Sequence, residues 1–191
     1  LTGPLERTNS AYAVAKIAGI ELIKSYRKQF NRRWISLMPT NMYGPFDNFD
    51  LETSHVLPAF INRFVSATKN MAQFVTVWGS GKPRREFLHC DDFAKATLMA
   101  AEKYDAPEHL NVGTGEDVTI AELAETVAST AGFNGEIRWD SSKPDGTPRK
   151  VLDVTNIKKV GWVPEIPLKE GIASTIEWFK ENEKTLVKRE R

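Results

Sequence analysis

Tyr12 and Lys16 stand four residues apart in Asn-Ser-Ala-Tyr-Ala-Val-Ala-Lys, a run of strong helix formers from Asn9 to Lys16. On a helix that spacing stacks two side chains on one face, with Cβ atoms roughly 5–6 Å apart. A lysine ammonium beside a phenol favours the phenolate. Such a pair suits protonation of a carbonyl oxygen while hydride arrives at its carbon. The same spacing also describes an ordinary helix-surface pair, and only structural context separates the two. His55 is a second candidate, because imidazole is one of few groups able to supply protons near neutrality. Its plain alternative is an N-terminal helix residue facing water. Arg63 and Arg85 carry guanidinium forks that match phosphate oxygens, though an isolated surface Arg is commonly just solvated. Trp78 beside Gly79 reads equally as core, and Pro144-Asp145-Gly146 as a turn. His89 and Cys90 are read as structural. No Cys/His cluster has metal-ligand spacing, so no metal site is expected.

The elements that must position these residues alternate along the chain. A helix is expected from a cap at Thr8 or Asn9 to about Phe30. Val14, Ile17, Ile20, Leu22, Ile23 and Phe30 would give it more than one face to bury. Trp34 to Met38 reads as a short strand, and Pro39-Thr40-Asn41-Met42 as its end, leading into a polar loop to about Ser54. Ser54 caps a helix to about Thr68, with Pro58 in the first turn, where proline is tolerated. Phe74 to Trp78 is a strand closed by Gly79-Ser80-Gly81, and Arg84 to Leu88 another extended piece. Asp91 or Asp92 opens a helix to about Tyr104, and Leu110 to Val112 is a strand closed by Gly113-Thr114-Gly115. Thr119-Ile120-Ala121-Glu122 is a capping box ahead of a helix to Ala131, with Gly132 at its C-terminus. Glu136 to Trp139 is a strand, Thr155 opens a short helix ending at Gly161, and Pro167 opens a last helix to about Glu183. This alternation predicts α/β layers on a mostly parallel sheet. No Gly-x-Gly-x-x-Gly lies between a strand and a helix, so no dinucleotide phosphate loop is expected within the chain.

Composition narrows the classes. The 191 residues are 41% hydrophobic and 27% charged, values of a globular protein with a sizeable core. Lys plus Arg (26) nearly balances Asp plus Glu (25), which gives no bulk field for nucleic acid or membrane. The basic stretch Lys184 to Arg191 reads as a frayed tail. One cysteine, Cys90, excludes an intrachain disulfide and leads to an expected reducing compartment, most simply the cytoplasm. The chain begins Leu-Thr-Gly rather than Met, in what reads as the middle of a loop, so further sequence is expected upstream.

With the pieces in order, the chain resembles the extended short-chain dehydrogenase/reductases that act on nucleotide-sugars. The resemblance rests on Tyr12 with Lys16, the strand ending Pro39-Thr40-Asn41, Arg85-Glu86-Phe87-Leu88-His89 with Asp91-Asp92, and Asn111-Val112-Gly113. Within that superfamily it is most similar to the GDP-sugar 3,5-epimerase/4-reductases. The narrower match lies in Met38 to Asn48, Ser54 to Pro58, Val77 to Gly81 and Ser142 to Lys150. It runs to about Asn182 and covers only the later part of such an enzyme. The family's glycine-rich NADP loop, the serine partnering its tyrosine and its epimerisation cysteine have no counterpart here, and Cys90 does not match that cysteine.

The resemblance implies the C-terminal portion of a doubly wound, Rossmann-type parallel sheet plus a smaller α/β substrate lobe. Residues 1–41 and 86–113 would belong to the NADP-binding domain, 42–85 and 114–183 to the lobe for the nucleotide-sugar, and 184–191 to a tail. It implies NADP(H) as cofactor and 3,5-epimerisation with 4-reduction of GDP-4-keto-6-deoxy-D-mannose as the reaction. By resemblance Tyr12 serves the C4 oxygen, Lys16 tunes it and holds the nicotinamide ribose, and His55 is the acid of epimerisation. Pro39, Thr40, Asn41 and Met42 would meet the cofactor, together with Tyr12, Lys16 and His55. Arg63, Trp78, Arg85, Asp145 and Lys150 would hold the GDP-sugar. A homodimer through the helix carrying Tyr12 and Lys16 is implied as well, with neither nucleic acid nor membrane as partner. Competing readings are another nucleotide-sugar epimerase, reductase or dehydratase on the same scaffold, or a non-catalytic module that binds a nucleotide-sugar or dimerises. Measured NADP(H) affinity would separate the last from the rest.

Overall fold

The computed structural model describes residues 3–6 and 9–186. Thr8, the alternative cap of the first helix, and the last five residues of the expected tail lie outside that range. In chain order the elements are α1 (Ser10–Phe30), β1 (Leu37–Pro39), β2 (Asn41–Tyr43), α2 (Val56–Lys69), β3 (Phe74–Trp78), β4 (Arg84–Arg85) and β5 (Phe87–His89). There follow α3 (Cys90–Lys103), β6 (Leu110–Val112), β7 (Val118–Thr119), α4 (Ile120–Ala131), β8 (Glu136–Asp140), β9 (Arg149–Lys150), α5 (Thr155–Val160) and α6 (Leu168–Leu186). Pairing is parallel for β1 with β6, β2 with β5, β3 with β8 and β4 with β9; among the described residues only β4 with β7 is antiparallel. The expected α/β architecture with parallel sheet is therefore present.

Two apolar clusters hold it together. The larger packs Leu57, Ile61 and Phe64 of α2 against Leu123 and Val127 of α4 and Ile172 and Ile176 of α6. Val75 and Val77, the inward residues of β3, close it from the sheet side. The smaller cluster joins Leu88, Leu110 and Val112 to Ala96 and Ala100 of α3 and to Ile157 and Trp162 around α5. Each of these large side chains removes apolar surface worth roughly 1.5–3 kcal/mol from water. The capping box of α4 forms in both directions: the Thr119 hydroxyl accepts from the Glu122 amide, and Glu122 accepts from Thr119 N. Gly132 then ends the helix at φ 82°, a conformation that suits glycine.

Several expectations shift. Far from burying more than one face, α1 has no buried residue at all. Its apolar period states which face seeks a partner, not what covers it. The helix is tied down at its C-terminal end, where Arg27 donates to the Trp34 carbonyl at 2.8 Å and to Asp105 at 2.6 Å. The strand expected over Trp34 to Met38 lies at Leu37–Pro39, in register with the three residues that β6 offers. Asn41 and Met42, expected as the end of the first strand, belong with Tyr43 to a separate strand, β2, because β5 supplies its partner far along the chain. The extended piece from Arg84 to Leu88 divides at Glu86, since β4 joins β7 and β9 whereas β5 joins β2. His55, not Ser54, is the N-cap of α2, in an extended conformation and without a side-chain capping bond.

Candidate functional site

A cleft of about 330 Å³ opens beside β2, between the N-terminus of α2 and the segments that follow β3 and β8. Asn41 and Met42 of β2 line it, with His55 from the start of α2, Trp78 from the end of β3, Arg85 of β4 and Asp145 from the segment before β9. The chain thus brings six of the residues singled out in the sequence to one place. Trp78 and Arg85 end β3 and β4, where open α/β sheets present groups to ligands, and His55 stands at a helix N-terminus.

Each side chain has a physical reason for its place. The Asn41 amide donates to the Glu86 carbonyl at 2.8 Å, fixing β2 against the β4–β5 junction. His55 stands exposed at the amino end of α2, where the unpaired amides of the first turn concentrate positive potential. Burial pushes the Asp47 carboxyl up, opposed by the Asn48 amide and by nearby His55. Trp78 is 64% exposed, as the outward residue at the end of an alternating strand. Two cations share its ring: the Arg63 guanidinium lies 5.9 Å and the Lys143 ammonium 5.4 Å from the centroid. Arg63 also donates to the Thr76 carbonyl at 3.1 Å. Arg85 is half-buried, which lowers its pKa, and donates to the Thr147 carbonyl at 2.6 Å.

Asp145 is engaged rather than free. One oxygen accepts from the Ser80 amide at 2.9 Å and the other from the Ser80 hydroxyl at 2.6 Å. These bonds, the hydroxyl first, hold its pKa below the usual carboxylate range. The approach is close enough that a Cβ on Gly79 would fall 2.6 Å from the carboxylate, and Gly79 also takes φ +86°. Arg149 and Arg84 both bond to Asp117, Arg84 at 2.7 Å, and seat β9 beside β4. They depress the Asp117 pKa in that order.

The other named residues lie elsewhere. Tyr12 and Lys16 share one face of α1, the ammonium 5.3 Å from the ring centroid, and Tyr12 is 60% exposed. Neither lines the cleft. Pro39 ends β1, and Thr40 is buried with its hydroxyl directed to the Glu86 carbonyl. Lys150 is exposed in β9, in register with Arg85 but outside the lining.

Sequence reasoning passed over Glu86, which has no exposed surface. Its carboxylate accepts from the Gly115 amide at 2.7 Å and the Leu152 amide at 2.9 Å. A Cβ on Gly113 would strike it at 2.1 Å, so glycine there admits the carboxylate. Glu86 therefore locks the Gly113–Gly115 turn and the entry to α5 onto the strand junction that carries Arg85. A charged residue between an arginine and a phenylalanine was the available signal, since burial of such a group requires fixed partners.

Residues 1–113 match the family described as NAD dependent epimerase/dehydratase. The chain is 56% identical over 182 residues to a probable GDP-L-fucose synthase 1 of Oryza sativa subsp. japonica, covering 95% of this chain and 56% of that protein. It is 53% identical over 192 residues to the GDP-L-fucose synthase of Escherichia coli, covering 96% of this chain and 60% of the relative. A solved GDP-L-fucose synthetase from Naegleria fowleri bound to NADP superposes with a TM-score of 0.89 at 31% identity, over 96% of this chain and 58% of that one. The chain thus spans a little over half the length of the relatives it matches.

Proposed function

The chain belongs to the NAD dependent epimerase/dehydratase family, and from that premise we propose that it is part of an NADPH-dependent enzyme converting GDP-4-keto-6-deoxy-D-mannose to GDP-L-fucose. The observation that carries this reading is the cleft that gathers Asn41, Met42, His55, Trp78 and Arg85. It offers a proton donor, an exposed aromatic face and a guanidinium within one concavity, the set a nucleotide-sugar needs.

A C4 ketone acidifies the C–H bonds at C3 and C5. Inversion at either carbon takes a proton from one face of the ring, onto a base that the rest of the enzyme would supply, and returns one to the other. His55, solvent-accessible at a helix amino end, is the group that returns it. Tyr12 protonates the C4 oxygen, and the Lys16 ammonium stabilises the phenolate left behind. Arg85 and Arg63 take the diphosphate, with Trp78 against the ligand's planar or apolar surface. Asp145 and Lys150 border the GDP end.

NADPH fits the residues present at its nicotinamide end, because Lys16 has no ion pair among the described residues and Asn41 and Met42 open on the cleft. When bound it supplies the hydride that reduces C4. Lys16, Tyr12, His55 and the strand end Pro39, Thr40, Asn41 and Met42 would hold it. The smaller apolar cluster would then underlie the cofactor side and the larger one the substrate lobe. α1, with Val14, Leu22, Tyr26 and Phe30 exposed, would be the contact of a homodimer.

The test uses the intact protein in D₂O. Tyr12→Phe removes the donor to the C4 oxygen and should lower reduction by about 10²–10⁴-fold, while deuterium still enters C3 and C5. His55→Asn should stall epimerisation first and divert the ketone to an unepimerised reduced sugar. Mass and NMR analysis of products separates the two. Normal GDP-L-fucose formation by His55→Asn, or loss of exchange with intact reduction in Tyr12→Phe, refutes these roles.

A further inference from the structure

Residues 141–148 form an exposed strap between β8 and β9, and its Pro144, Asp145 and Gly146 line the cleft. It is fixed along its length. Asp140 accepts from the Ser142 amide at 3.1 Å, Asp145 accepts twice from Ser80, and the Thr147 carbonyl accepts from Arg85. Between Asp140 and Asp145 the strap carries the Lys143 ammonium to 5.4 Å from the centroid of the Trp78 ring, which the Arg63 guanidinium also approaches. Lys143 makes no ion pair among the described residues. Two like charges over one exposed indole repel each other, and the ring returns only about 0.5–1 kcal/mol to each at an exposed site. An anion bound beside Trp78 would offset that accumulated positive charge.

We propose that Lys143, next in sequence to the lining residues Pro144 and Asp145, is a further binding residue at the edge of the cleft, contacting the phosphates of a nucleoside diphosphate group, and that Ser80 is the positioning residue that sets it there through Asp145. The inference rests on the nucleotide-sugar reading above. It changes the part played by Asp145: with both oxygens on Ser80, this carboxylate holds the strap rather than the ligand. Ser80 is suited to this because its amide and hydroxyl address the two carboxylate oxygens together. The hydroxyl oxygen in turn accepts from the Lys82 amide at 3.2 Å.

The experiment measures GDP and guanosine affinities of the intact protein by calorimetry at low salt. One charge-assisted contact to phosphate is lost in Lys143→Ala, so GDP binding should weaken about 10-fold or more while guanosine binding changes less than about twofold. Lys143→Arg should keep most of the GDP affinity. Ser80→Ala should weaken GDP binding in the parent and have no further effect in the Lys143→Ala background, since it acts through that lysine. Ser80→Thr, which keeps the hydroxyl, should restore binding. Equal GDP affinity in Lys143→Ala and parent overturns the contact, and additive losses in the double variant overturn the positioning role. A parent that binds no GDP overturns the nucleotide-sugar reading itself, and this inference with it.

Discussion

Ser80 reports directly on the seat of the strap, because its amide bonds to one oxygen of Asp145. The Asp145 pKa is depressed below its ordinary 3.8 by that amide and the hydroxyl. A depressed carboxylate stabilises the folded arrangement wherever the pH exceeds the unfolded value, and that contribution is lost as the pH falls through the lower folded value. The latch is therefore formed above the ordinary carboxylate range and loosens as the pH falls below it. The Ser80 amide resonance should titrate with a midpoint below 3.8; a midpoint at or above it would show that the latch does not form in solution. Asp117, held down by Arg149 and Arg84, follows the same sign. Little of this was legible in the sequence. Asp145 stood out as a turn residue and by resemblance, but its partner lies far back in the chain, and nothing local announces a bond over that distance. Glu86 was hidden for the same reason, since its two amide donors come from separate turns.

Elements with local signals were read well, and those that depend on remote partners were not. Thr119 and Glu122 sit three residues apart and make their capping box within one turn of chain, so α4 was placed by sequence alone. β2, β7 and β9 are two or three residues long and exist only through pairing with β5 and β4. No local pattern of that length could mark them. α1 is the instructive case: its boundaries at Asn9 and Phe30 follow from composition, but its burial does not. A helix with Val14 and Leu22 more than half exposed and no buried residue presents an unpartnered face. If that face forms the proposed homodimer contact, Val14→Glu and Leu22→Glu should convert a dimer to a monomer in sedimentation velocity. Glu is a good helix former, so α1 itself should persist by circular dichroism. A parent that is monomeric at micromolar concentration, or variants that still dimerise, would remove α1 from the interface.

At the scale of the molecule, the two apolar clusters divide the chain in an order the sequence does not follow. The larger takes residues from Tyr43 to Phe179 and the smaller interleaves with it from Leu88 to Trp162. No helix among the described residues is long and apolar enough to cross a membrane. The same interleaving appears in the strands. Leu37 pairs with Leu110, Asn41 with Phe87, Phe74 with Glu136 and Arg84 with both Thr119 and Arg149. Among the described residues no strand pairs with its neighbour in sequence, so the fold contains no hairpin.

That absence sets the kinetics of folding. Every strand pair must close a long loop before its first contact forms, and the loop entropy is lost before any pairing energy is gained. Helical signal should therefore appear first on dilution from denaturant, with cooperative tertiary signal following on a timescale of milliseconds to seconds. Stopped-flow circular dichroism and tryptophan fluorescence would measure the two, and a single submillisecond phase in both would contradict this order. Until its strands pair, the chain carries half-formed layers whose apolar faces accept any partner. Recovery of folded protein should then fall with chain concentration during refolding, because encounters between unfinished molecules compete with loop closure inside each one.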